Sequence, residues 1–134
     1  MKKAAFSVAL LLAVFLVVNA YSAEQVRVEV LYMNHGPLRD TIAKMKKVFS
    51  SYGSRISVSW HDFNTEEGEQ FMAKKGIRQH VPLVIWINGK TKATVGNREM
   101  TFSGFPTGSG PAFFQGKWTI DDLNTALAQV AAKK

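Results

Sequence analysis

Imidazole is the side chain best suited to exchange protons or hold transition metals near neutral pH, and the chain has three: His35, His61 and His80. His35 begins the loop His35-Gly36-Pro37-Leu38, and Asp40 follows five positions on. A His35–Asp40 pair could do general acid–base work, but spacing alone does not make a site. His35 and His80 could share a metal ion, although tight transition-metal sites use three or four ligands. They are therefore weak metal candidates, no catalytic residue is assigned, and no cofactor is implied. The chain has no cysteine, which removes thiolate catalysis, dithiol exchange and structural disulfides. The glycine-rich Thr107-Gly108-Ser109-Gly110 lacks the lysine and spacing of a phosphate-binding loop.

The elements that must hold these residues can be read from periodicity. Val26, Val28, Val30 and Tyr32 alternate with Arg27 and Glu29, the pattern of a strand that starts near a sheet edge and runs into a buried centre. Pro37 opens a helix whose apolar stripe is Leu38, Ile42, Met45 and Phe49, and Gly53 suits its left-handed end. A second strand covers Ile56, Val58 and Trp60. Asn64 and Glu67 have the spacing of a reciprocal N-cap for a short helix that ends at Lys74-Lys75-Gly76. Val81-Pro82-Leu83-Val84-Ile85-Trp86-Ile87 predicts a central strand buried on both faces, with Asn88-Gly89 as its hairpin turn. Gly96-Asn97 could close another hairpin. Thr119 and Asp122 cap a last helix with the stripe Ile120, Leu123, Leu127 and Val130. The predicted order is β-α-β-α-β-β-(β)-α.

The first 23 residues read differently. Lys2 and Lys3 precede an uncharged apolar run from Ala4 to Val18, then small residues: a secretory leader with cleavage after Ala20 or Ala23. Residues 24–134 then form one domain, periplasmic or secreted, with no stable membrane insertion after cleavage; a retained anchor is the alternative. Loss of Lys2 and Lys3 lowers the net charge from +7 to +5. No recognition helix or basic-aromatic strand pattern accompanies that charge, so nucleic acid is not an expected partner.

Two stretches together resemble the thioredoxin family. Asn34-His35-Gly36-Pro37-Leu38-Arg39 is similar to its Trp-Cys-Gly-Pro-Cys-Lys loop, with His35 and Leu38 in the cysteine positions. The stretch from Lys74 through Gly76-Ile77-Arg78 to Pro82 and Asn88-Gly89 resembles the segment that leads to the family's cis-proline. The resemblance covers most of residues 26–95 and the final helix. It implies a central mixed sheet flanked by helices, a cis Val81–Pro82 bond facing the loop, and a turn able to pair with an extended peptide through Val81. The sequence departs from the family in both cysteines and in residues 97–117, a Gly- and aromatic-rich insertion before the last helix.

The expected function is a redox-inactive protein- or peptide-binding module in the cell envelope, oligomeric state open. The candidate binding residues are His35, Gly36, Pro37, His80, Val81, Pro82, Phe113 and Phe114. Two alternatives stay open: a metallochaperone-like or non-thiol enzyme using His35 and His80, and a structural subunit of an envelope complex. For the insertion, the two readings are a cluster packed over one end of the sheet and an aromatic partner surface.

Overall fold

Strand β1 (Val26–Tyr32) is the middle of three strands, with β2 (Ile56–Asp62) parallel on one side and β3 (Leu83–Ile87) antiparallel on the other. A computed structural model describes residues 24–133, so the leader read in residues 1–23 lies outside the described residues. Three α-helices join the strands: α1 (Arg39–Tyr52), α2 (Glu66–Lys74) and α3 (Ile120–Ala132). The result is an α/β fold around a mixed sheet, in the predicted element order.

Each face of the sheet follows from strand alternation. Val26, Val28 and Val30, with Leu83, Ile85 and Ile87, turn toward α1 and α3 and make the main core with Ile42, Met45, Phe49, Leu123 and Leu127. On the opposite face, Leu31, Val84 and Trp86 pack with Phe71 of α2 in a smaller cluster. All five residues of β3 are buried, as the continuous apolar run predicts. β1 runs into a buried centre as expected, but its start too lies in the middle of the sheet and not near an edge. Its polar residues are accommodated by pairing: Lys75 Nζ sits 2.9 Å from Glu29 Oε1, with Arg27 Nε 3.6 Å from the same oxygen. That ammonium also lies over the Phe71 and Trp86 rings, so a buried apolar face tolerates one paired carboxylate.

After β3, Asn88 and Gly89 both have positive φ, 49° and 79°, and turn the chain back on itself. A two-stranded ribbon follows, β4 (Lys92–Val95) and β5 (Arg98–Thr101). The first residues of the expected insertion are therefore strand. Beyond β5 the chain runs along the second edge of β3, with Ile85 N–H donating to Phe102 O at 3.0 Å and Gly104 N–H to Leu83 O at 2.8 Å.

The helix ends are held by side chains. Thr119 and Asp122 form the expected reciprocal cap of α3. At α2 the cap is Thr65, whose Oγ1 accepts from Gly68 N–H, one residue later than expected for Asn64. Asn64 instead donates its own N–H to Asp62 Oδ1. Gly68 is required there: a Cβ would lie 1.8 Å from Asp62 O, so only glycine lets α2 approach the end of β2.

Tyr52 ties α1 to α3. It is 6% exposed, and its hydroxyl lies 2.7 Å from Asn124 O and 2.8 Å from Asn124 Oδ1. Burial pushes its pKa up, with Arg55 pulling the other way; burial and then the Asp62 charge push Tyr32 up as well. A tyrosine raised in the folded state keeps its proton after the unfolded chain has lost its own. Stability is therefore whole below about pH 10 and falls as pH rises through the folded values. Tyr52→Phe should cost about 0.5–1.5 kcal/mol at neutral pH in urea unfolding. It should also lessen the alkaline loss while leaving the part due to Tyr32.

Candidate functional site

Three segments leave the sheet at one end, at the row of Leu83. Tyr32 of β1 is paired with Leu83, and Met33 N–H donates to Pro82 O at 3.1 Å. On the other side Gly104 N–H bonds Leu83 O. The loop after β1, the turn before β3 and the insertion after Gly104 thus start from adjacent strands. Parallel strands β1 and β2 also end here, at the edge where α/β proteins place their sites.

The loop is short and tightly turned. His35 N–H donates to Met33 O and Leu38 N–H to His35 O, each at 3.0 Å, and Gly36–Leu38 form a single 3-10 turn with Pro37 in it. His35, Gly36 and Pro37 are exposed. Leu38 is buried in the main core as the first residue of the stripe. Beside the loop lies a cavity of about 330 Å³ lined by Tyr32, Asn34, Arg39, Ile42, Ala43 and Lys46. No hydrogen bond or ion pair among the described residues joins His35 to Asp40.

The turn before β3 corrects one expectation. No peptide bond among the described residues is cis, so Val81–Pro82 is trans. Pairing already begins at Pro82, whose carbonyl takes the Met33 amide, and Val81 continues the chain against the Leu31–Trp86 cluster. The trans form is favoured by about 0.5–1 kcal/mol for X–Pro bonds. Gln79, His80 and Val81 make no backbone hydrogen bond with the described residues, while Ile77 and Pro82 on either side do. A stretch of unpaired amides and carbonyls, exposed at Gln79 and His80 and half-buried at Val81, is therefore held at fixed ends.

The insertion is packed at its base, as the first of its two readings expects, and exposed at its tip. Phe102, Phe105 and Trp118 are buried in the main core, and Trp118 Nε1 donates to Gly104 O at 3.2 Å. The loop closes on itself through Phe105 N–H to Phe114 O, Gly116 N–H to Phe105 O and Thr107 N–H to Trp118 O. Gln115 bridges its interior, accepting from Gly108 N–H and donating to Gly110 O. Gly110 has φ +66°, and a Cβ there would sit 2.4 Å from the Phe105 ring. Against this packed base, Phe113 is 91% exposed and Phe114 36%, their rings edge to face at 5.1 Å. The tip is tied to α1 by Ser109 Oγ, 3.3 Å from Thr41 Oγ1. Thr41 is the buried polar residue of the first turn after the His35 loop.

No hydrogen bond or ring contact among the described residues joins one histidine to another. His80 meets the Phe63 ring edge-on at 4.8 Å, and His61 pairs with Glu67 and Ser59. No group of three His, Asp or Glu side chains among the described residues could hold a metal ion. No protein-family model, curated protein or solved structure matches the chain.

The sequence named the loop, the turn, Phe113 and Phe114 as candidates, but not what fastens these segments together. Ser109 and Thr41, 68 positions apart, carry no local signal that they meet. Ser59 was missed as a partner of His61, although two residues apart on a strand share a face.

The buried and exposed aromatics should separate in a stability series. Trp118→Ala should cost about 3–5 kcal/mol in urea unfolding. Phe113→Ser should stay within about 0.5 kcal/mol of the parent. A comparable loss for both would mean that Phe113 packs in solution.

Proposed function

We propose that this chain is an exported, redox-silent thioredoxin-like module that docks an extended segment of a protein partner in the cell envelope. The observation that carries the reading is the unpaired backbone of Gln79–Val81, held between fixed residues at the sheet end where the His35 loop and the insertion also emerge. An extended peptide can add there through main-chain hydrogen bonds. The exposed Phe113–Phe114 pair supplies apolar contact of the kind enriched in interface cores. Support for the thioredoxin-like reading comes from the strand order β2-β1-β3 with β3 antiparallel, and from helices on both faces. The trans Val81–Pro82 bond is a departure from that family. The docking role therefore rests on unpaired backbone and not on the isomer. With no cysteine in the chain, recognition has to proceed without a mixed disulfide.

Capture from an envelope extract tests the function. Full-chain bait should retain a defined protein that Phe113→Ser/Phe114→Ser bait, equally folded by circular dichroism, releases. Equal capture by both baits would remove the aromatic surface from the interface.

The loop assignment has its own test. A turn closed by Leu38 N–H to His35 O brings the two Cα atoms within about 7 Å, compatible with the ~4.4–6.8 Å of a disulfide. The variant His35→Cys/Leu38→Cys should form an intramolecular disulfide on mild oxidation and show weak dithiol activity, with some stability lost from the core. Two free thiols in a folded, oxidised sample would contradict the assignment.

A further inference from the structure

The face of the sheet covered by α2 carries a group of side chains that the docking surface does not use. Ser59 and His61 alternate along β2 onto this face, and Glu67 stands in the first turn of α2. His61 Nδ1 lies 2.5 Å from Glu67 Oε1, and His61 Nε2 lies 3.3 Å from Ser59 Oγ. The imidazole is stacked on Phe71, with centroids 3.6 Å and planes 5° apart, which fixes the ring between its two partners. A carboxylate on Nδ1 keeps the proton on that nitrogen and leaves Nε2 to accept from the hydroxyl. A structural role needs only the His61–Glu67 pair. The serine on the second nitrogen completes the relation of nucleophile, base and orienting acid that activates a hydroxyl.

We propose that Ser59, His61 and Glu67 form a hydrolytic site for small carboxylic esters. Ser59 Oγ attacks the ester carbonyl carbon while its proton passes to His61 Nε2, and the carbonyl π electrons move to oxygen. The tetrahedral adduct collapses, the C–O bond to the alcohol breaks, and the leaving oxygen takes the proton from Nε2. Water then attacks the acyl group on Ser59, giving one proton to Nε2. The carboxylic acid departs, and the proton returns to Ser59 Oγ. Glu67 is a positioning residue that holds the ring and stabilises its charged form.

A donor for the developing oxyanion is available on the same strand. Phe63 N–H bonds Tyr32 O across to β1, so the odd-numbered amides of β2 face inward and the alternation turns the Trp60 amide outward. β2 has no neighbour on its outer side among the described residues. Trp60 directly follows Ser59 within β2, and its outward N–H is the backbone donor next to the nucleophile. Ser59 is exposed and the Glu67 side chain is 62% exposed. Water screens an open site of this kind, which weakens the stabilisation of developing charge. Activated esters with small acyl groups, and not amides, are therefore the substrate class.

The test uses the full chain with p-nitrophenyl acetate and, separately, with a fluorophosphonate reagent that phosphonylates activated serines. Hydrolysis should fall to the buffer rate in Ser59→Ala and by ~100-fold or more in His61→Gln, the range of general-base contributions. Glu67→Gln, at an exposed position that does not threaten folding, should lower kcat roughly 10-fold with KM unchanged, and Glu67→Asp should restore part of it. Ser57→Ala, on the same face of β2, should hydrolyse like the parent. The phosphonyl adduct should map to Ser59. Hydrolysis by Ser59→Ala at the parent rate, or an adduct mapping away from Ser59, would overturn the proposal.

Discussion

Two hydrogen bonds at the start of β3, Met33 N–H to Pro82 O and Gly104 N–H to Leu83 O, fix which segments meet at this end of the sheet. They lock β3 between β1 and the chain after β5, with apolar side chains on both faces. A backbone paired on both sides and buried on both faces has little freedom to shift register, since a one-residue slip would turn each core side chain to the other face. The loop, the turn and the insertion inherit that rigidity at their roots. Their outer parts, from His35 to Pro37, at Gln79 and His80 and at Phe113, are exposed, with Val81 half-buried. Rigid roots with open tips are what a docking surface requires, because little ordering is left for the partner to bring about.

Much of this architecture is written in local patterns. The stripe Leu38, Ile42, Met45, Phe49 became the buried face of α1, the five-residue apolar run became a fully buried β3, and Thr119 with Asp122 became a reciprocal cap. Each depends on residues within a few positions of one another. What was misread depends on distant partners. Glu29 made β1 look like an edge strand because Lys75, its counterion, lies 46 positions away. At α2, Asn64 and Thr65 are both good caps, and the close approach at Gly68 accompanies the choice of the second. The trans isomer at Val81–Pro82 and the pairing of Pro82 with Met33 are likewise not recorded in the stretch around the proline.

The candidate site was legible to the same degree. Loop, turn and the aromatic insertion could each be named from sequence, since turn chemistry and an unusual aromatic density are local features. That Phe105 and Trp118 anchor the insertion while Phe113 and Phe114 face water could not, because all four have similar neighbours in the chain. The difference lies in the loop's own closure through Gln115 and in the glycine at 110 that makes room for Phe105. With no cysteine in the chain, the proposed docking draws on main-chain hydrogen bonds and aromatic surface alone.

Amide hydrogen exchange on the full chain, free and with its captured partner, tests the docking claim most directly. In the free protein, Gln79, His80 and Val81 should exchange at near-unprotected rates while Leu83–Ile87 is strongly protected. Protection appearing at Gln79–Val81 in the complex is the predicted result. Unchanged exchange at those three amides, with new protection along the outer edge of β2 instead, would contradict it.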